Sequence, residues 1–244
     1  MERNGRELKR PFEDVCFHAT DGTELNGWFF PAERNSGRAD LVFLICHGNA
    51  GNISNRLDHC AALLETGANV FVFDYRGYGL SMGRPDEEGT YQDVQAAWRW
   101  LRQKGFAPSG IIALGESLGG AVATELAVRE VVGGLILQGT FTSAPDLGAE
   151  FFPWLPVRRL ARIKYDTLGK LPRIHIPVMV IHSREDGLIP FHHAEQNYAV
   201  ANEPRIFWEI PGDHNEFVFA DRKRYLEGII RFMNRIETGN PPRH

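Results

Sequence analysis

The residues best suited to chemistry lie in Gly115-Glu116-Ser117-Leu118-Gly119, a G-x-S-x-G sequence with a serine at its centre. It follows the apolar run 111–114 and precedes 121–128, a stretch of alanine, valine and leucine suited to a helix. Strand, sharp turn and helix, in that order, form the setting in which a serine is held out as a nucleophile. Glycines at 115, 119 and 120 allow both a tight turn and a close approach of helix to strand. The competing reading is a glycine-lined turn that serves packing alone.

A serine hydroxyl is a weak nucleophile without a base to take its proton. The base that fits is a histidine on another strand end, oriented by a carboxylate. His214, in Pro211-Gly212-Asp213-His214-Asn215, stands in a turn just after the run 205–210. His175 and His182 flank an apolar strand and read as packed or hydrogen-bonded; His192 and His193 begin a helix and read as exposed. No H-E-x-x-H or comparable cluster is present, so no metal is expected. The orienting acid is Asp186 or Glu185, both in the turn after the run 177–181. Asp213 is adjacent to His214 and poorly placed to reach its own neighbour's ring.

Attack on an acyl carbonyl builds an oxyanion, which needs donors aimed in advance. The N–H of Leu118, at the positive end of the following helix, supplies one. The second is expected from His47-Gly48-Asn49-Ala50-Gly51-Asn52, through the main-chain N–H of Asn49, with Ala50 the other candidate. Lacking a following Lys-Ser/Thr, this loop does not read as a phosphate cradle.

Such residues act together only if strand ends converge. Apolar runs at 41–46, 69–73, 110–114, 134–137, 177–181 and 205–210 are rich in Val, Ile and Phe, as in strands covered on both faces. Helical stripes separate them: Leu57, Ala61 and Leu64; Tyr91, Val94, Trp98 and Leu101; Leu226, Ile229, Ile230 and Met233. The runs 14–18 and 24–30 flank Asp21-Gly22 and predict a hairpin. The expected fold is α/β: a mostly parallel central sheet with helices on both faces and an N-terminal antiparallel hairpin. In such sheets ligands sit beyond the C-terminal strand ends. The stretch from about 140 to 172 shows no strand pattern and gathers Phe151, Phe152, Trp154 and Leu155. It is read as a short cap whose aromatics line a binding pocket, the plainer alternative being an insertion whose aromatics fill the core.

Composition narrows the class. With 244 residues, 43% hydrophobic, the chain is long enough for a large core and is expected to form a single domain, 1–244. Its 27 basic and 31 acidic residues leave a net charge of −4 and no footprint for nucleic acid. Cys16, Cys46 and Cys60 suit a reducing compartment better than a disulfide framework. The first ten residues lack an apolar signal core, and the longest aliphatic stretch, 41–46, is far short of the ~20 residues that cross a bilayer. A soluble, cytoplasmic protein with no membrane span is expected, its oligomeric state open.

Together the His47–Asn52 string, Asp74-Tyr75-Arg76-Gly77-Tyr78-Gly79-Leu80-Ser81, the turn at Ser117 and the turns at Asp186 and His214 resemble the α/β-hydrolase superfamily. The order serine, acid, histidine is that superfamily's order. Within it the chain is most similar to small-cap serine hydrolases that include protein depalmitoylases and bacterial carboxylesterases, over about residues 12 to 236. The resemblance implies an α/β-hydrolase fold, a Ser117–Asp186–His214 triad and an oxyanion hole from the Asn49 and Leu118 main-chain N–H groups. It implies a serine esterase without cofactor or metal, acting on small-molecule esters of small to medium acyl chain through an acyl-enzyme. Acyl-thioester hydrolysis is the alternative, and a non-catalytic binding scaffold the distant one. In relatives the 74–81 loop packs beside the site, so Arg76 is expected to be structural.

Overall fold

The structure, a computed structural model, describes residues 3–239. β1 (Glu13–His18) and β2 (Glu24–Phe30) form the antiparallel hairpin, from Glu13 opposite Phe29 to His18 opposite Glu24. Gly22 takes a φ of 85° in its turn, a conformation that asparagine and glycine tolerate best. Parallel strands follow: β3 (Val42–Cys46), β4 (Asn69–Phe73), β5 (Ile111–Glu116), β6 (Gly134–Gln138), β7 (Val178–His182) and β8 (Arg205–Glu209). The eight-stranded sheet has the order β1-β2-β4-β3-β5-β6-β7-β8, and β2 joins it antiparallel to β4.

Each central strand feeds two cores. Val42, Leu44 and Cys46 face one side, where α2 (Glu87–Gln103), α3 (Leu118–Arg129) and α6 (Phe191–Val200) pack. Phe43 and Ile45 face the other, against α1 (Leu57–Leu64), α7 (Phe217–Ala220) and α8 (Arg222–Gly239). This alternation is why every residue of β3, β4, β6 and β7 is buried and why those strands read as unbroken apolar runs. In α2 the expected stripe buries Tyr91, Val94 and Leu101, and the Asp86 side chain caps its start by accepting from Gly89 N–H at 2.8 Å. In α8 the buried stripe is turned from the expected one: Tyr225, Ile229, Phe232, Met233 and Ile236 face the sheet, while Ile230 is exposed. The aromatics at 225 and 232 fill the core better and set the helix rotation.

Between β6 and β7 the chain leaves the sheet as α4 (Ala144–Phe151), α5 (Val157–Leu160) and a 3₁₀ turn, Leu171–Arg173. Ser143 caps α4, its hydroxyl oxygen accepting from Asp146 N–H at 3.1 Å. No helix among the described residues is long and apolar enough to cross a membrane. All three cysteines are free.

Candidate active site

Ser117 stands between β5 and α3 with φ 52° and ψ −116°, a backbone disfavoured for any residue with a Cβ. Two glycines hold it there. A Cβ at Gly119 would overlap the Cys46 carbonyl oxygen, and one at Gly115 would overlap the backbone of Gly119 and Gly120. With α3 pressed so closely on β3 and β5, the serine is lifted clear of the sheet. Its N–H donates to Gln138 O at 2.9 Å, and its carbonyl accepts from Gly120 N–H at 3.0 Å. Leu118 is the first residue of α3, so its N–H has no partner inside the helix.

The loop after β3 lies against this turn: a Cβ on Gly48 would come 3.4 Å from Ser117 Cβ. Asn49 borders the same space, and its side-chain oxygen accepts from Tyr78 O–H at 2.7 Å. Arg76 faces away from the site, its guanidinium on Asp93 (2.8 Å) and Asp21 (2.8 Å), which accords with the structural expectation.

The turns after β7 and β8 meet. His214 Nδ1 lies 2.7 Å from Asp186 Oδ2, and the other carboxylate oxygen accepts from Leu188 N–H (2.9 Å) and Ile189 N–H (2.8 Å). Asp186 is buried and Glu185 exposed; Glu185 instead accepts from Gly212 N–H at 3.0 Å and braces the histidine's turn. Asp213 bridges the two turns, accepting from Gly187 N–H at 2.9 Å and His214 N–H at 2.7 Å. With Nδ1 donating to Asp186, His214 leaves Nε2 as an acceptor. Ser117 and His214 line one cavity of about 440 Å³.

That cavity is polar at its back, where sequence reasoning saw nothing. Glu116, the residue before the serine, pairs through Oε2 with Arg56 Nε at 2.7 Å and through Oε1 with His59 Nδ1. His59 Nε2 meets Tyr225 O–H at 2.6 Å, and Tyr225 donates to Gln138 Oε1 at 2.9 Å. Burial alone pushes the Glu116 carboxyl up, but the charges of His59 and Arg56 outweigh it and hold the group down at about 2. Nothing in the spacing of residues 56, 59 and 116 announces this network, because only the fold brings α1 against the end of β5.

A second cavity, about 470 Å³, also reaches Ser117 and Leu118 and is walled by Tyr78, Phe141, Leu147, Phe151, Ile163 and Tyr165. Of the four cap residues expected to line a pocket, only Phe151 does. Phe152, Trp154 and Leu155 lie outside the walls of both cavities and are exposed. Pro153 follows the end of α4 and Pro156 opens α5, and the chain around them carries these side chains into solvent, so they neither line the pocket nor fill the core.

A further correction concerns α6. His192 is exposed as expected, but His193 is buried. Together with Glu150 of α4 they form a group whose ligand atoms lie within 4.8 Å of one another. Thr142 N–H points at His193 Nδ1 at 3.2 Å, which makes Nδ1 an acceptor and puts the proton on Nε2. Nε2 then faces Glu150 Oε1 at 3.1 Å without hydrogen-bond alignment, and it is His192 Nε2, 3.0 Å from the same oxygen, that ties α6 to α4. Burial holds the His193 imidazole below its usual range.

Comparison with known proteins agrees with the architecture. The family model described as "alpha/beta hydrolase fold" matches residues 42–168. An uncharacterized protein of Mycobacterium tuberculosis is 40% identical over 222 residues, covering 90% of this chain and 78% of its own. The alpha/beta hydrolase domain-containing protein WAV2 of Arabidopsis thaliana is 30% identical over 248 residues, covering 92% and 79%. Among solved structures, the esterase Pf2001 of Pyrococcus furiosus superposes with a TM-score of 0.79 at 20% identity, covering 96% of each chain.

Proposed function

The chain belongs to the alpha/beta hydrolase fold family, and from that membership we propose that it is a serine hydrolase that cleaves carboxylic esters through an acyl-enzyme. The observation that carries the reading is the convergence of Ser117, on its strained turn, with His214 on one cavity, while His214 is bonded to a buried Asp186. The H-G-N-A-G-N and D-Y-R-G-Y-G strings favour the small-cap branch of that family. On this reading the protein is one domain, with the segment from about 140 to 172 as its cap. The absence of disulfides between its free cysteines suits a cytoplasmic setting.

In the proposed reaction Ser117 Oγ attacks the ester carbonyl and His214 Nε2 takes its proton. Asp186 stabilises the imidazolium and keeps Nδ1 protonated. The N–H groups of Leu118 and Asn49 receive the oxyanion. His214 then hands its proton to the departing alcohol, activates water and releases the acid. The two cavities that meet at Ser117 divide the substrate. The apolar one under α4 takes the acyl chain, and the cavity backed by Arg56, His59 and Glu116 takes the polar, alcohol side. A fluorophosphonate probe tests the nucleophile: it labels the wild type and not Ser117→Ala. On p-nitrophenyl esters that variant loses on the order of 10⁶ in kcat. If it retains more than about a tenth of wild-type turnover, Ser117 is not the nucleophile. Acyl thioesters run beside the esters decide between oxygen and sulfur leaving groups.

A further inference from the structure

The chain that ends α4 and runs through α5 carries an arrangement the proposed hydrolysis does not use. Residues 151–164 read Phe-Phe-Pro-Trp-Leu-Pro-Val-Arg-Arg-Leu-Ala-Arg-Ile-Lys. Trp154 is 73% exposed and Leu160 68%, and Phe151, Phe152, Leu155 and Ile163 are each about half exposed. Arg158, Arg159, Arg162 and Lys164 are exposed among them. The stretch holds no acidic residue, although the whole chain carries a net charge of −4. Among the described residues, Arg158 alone of the guanidinium groups here has a carboxylate partner, Asp146 at 2.7 Å. Phe151 and Ile163 belong at once to this outer face and to the wall of the apolar cavity that descends to Ser117.

Large apolar side chains exposed together mark a surface that is covered in use. The cations among them say by what. A second copy laid on the same face would set like charge against like charge. The headgroup layer of an anionic bilayer meets both demands: tryptophan and phenylalanine settle at its depth, and arginine and lysine reach its phosphates. We infer that residues 151–164 form a docking surface for an anionic phospholipid bilayer, which sets the mouth of the apolar cavity against the lipid. The docking stands apart from the hydrolytic reading. Its consequence for the substrate, that apolar acyl esters dissolved in the bilayer enter past Phe151 and Ile163, rests on that reading.

Co-sedimentation with vesicles tests the docking without reference to catalysis. The probes are phosphatidylcholine vesicles and vesicles in which about a third of the lipid is phosphatidylglycerol; the anionic set should raise partitioning at least about tenfold. Arg158→Gln/Arg159→Gln/Arg162→Gln should remove that gain, as should added salt. Trp154→Ser should weaken binding to the anionic vesicles several-fold. Melting temperatures of the variants, which alter only exposed side chains, confirm that each is folded. Brominated lipid should quench the fluorescence of the wild type more than that of Trp154→Phe. The proposal is overturned if the wild type binds neither vesicle, or if both variants bind as it does. It is overturned equally if Trp154→Ser instead dissolves a dimer seen by sedimentation velocity, with no vesicle binding. Vesicle binding that persists in an enzyme inactive on every ester would leave the docking intact and remove only the substrate consequence.

Discussion

Replacing Asp186 by asparagine separates orientation of the base from folding of its turn. The carboxylate has two jobs in the structure. Oδ1 accepts from Leu188 N–H and Ile189 N–H at 2.9 and 2.8 Å, and Oδ2 faces His214 Nδ1 at 2.7 Å. An asparagine oxygen can keep the first job, so both buried N–H groups stay paired and the turn survives. The lost charge-assisted bond costs about 1–2 kcal/mol of stability. The amide NH₂, placed where Oδ2 was, donates to Nδ1 and so drives the histidine's proton to Nε2, the nitrogen that must be empty to receive the serine proton. A wrong tautomer of this kind costs about 10⁴ in kcat, or roughly 5.5 kcal/mol of barrier. Glu185→Gln is the control. Its amide oxygen still accepts from Gly212 N–H, so turnover should stay within about twofold, the scale of a surface substitution. The assay is kcat on p-nitrophenyl butyrate with the active sites counted, beside a urea melt. An Asp186→Asn enzyme that keeps more than about a tenth of its kcat refutes the reasoning. So does a Glu185→Gln enzyme that falls as far.

Two other outcomes are expected. The Glu116 carboxyl sits at about 2 in the folded protein against a usual 4.5, so its contribution to stability is present above about pH 4.5 and is lost as pH falls towards 2. Over that window the unfolding free energy of the wild type should drop by about 3 kcal/mol more than that of Glu116→Gln, and parallel acid slopes in urea titrations would contradict the network. In the cap, Phe151→Ala should change the octanoate-to-acetate ratio of kcat/KM by about tenfold, whereas Trp154→Ala should leave the ratio unchanged; equal effects would undo the division between pocket wall and outer face.

The frame was legible because its signals are local. β3, β4, β6 and β7 announce themselves as apolar runs, since burial on both faces leaves no polar positions to blur them, while β1 and β2 show through the Asp21-Gly22 turn between them and the glycines around Ser117 mark the turn that follows β5. The pairing of Asp186 with His214 could be narrowed to two carboxylates but not decided. Residues 185 and 186 stand at the same strand end, and only the path of the turn selects which one points inward. What stayed hidden was long-range or depended on direction. Glu116 lies 57 residues from His59 and 109 from Tyr225 along the chain, and its partners follow from the packing of α1 and α8 over β5. The cap aromatics were visible as a cluster, yet residue type alone does not tell an inward phenylalanine from an outward one. The break between α4 and α5, marked by two prolines, decided the direction for Phe152 and Trp154.

The His47–Asn52 and Asp74–Ser81 strings act in the structure as one device. Tyr75 O–H donates to His47 O at 3.0 Å, Tyr78 O–H to Asn49 Oδ1 at 2.7 Å, and Asp74 Oδ1 accepts from Ile53 N–H at 3.0 Å. The 74–81 segment therefore grips the loop after β3 at both ends and in its middle, while Arg76 anchors the segment itself to Asp93. Across from it, the Ser117 backbone holds a conformation that costs about 1–3 kcal/mol and persists because Gly115 and Gly119 admit no other packing. On the proposed reading, both halves of the oxyanion hole are thus fixed before any substrate arrives, which is what gives such donors their effect. The cap has no comparable anchorage over its outer turn: α5 buries none of its residues. On the same reading the buried strings hold the catalytic geometry and the cap controls access, so changes at Phe151 and Ile163, which wall the apolar cavity, should alter which esters reach Ser117 far more than how fast a bound one reacts.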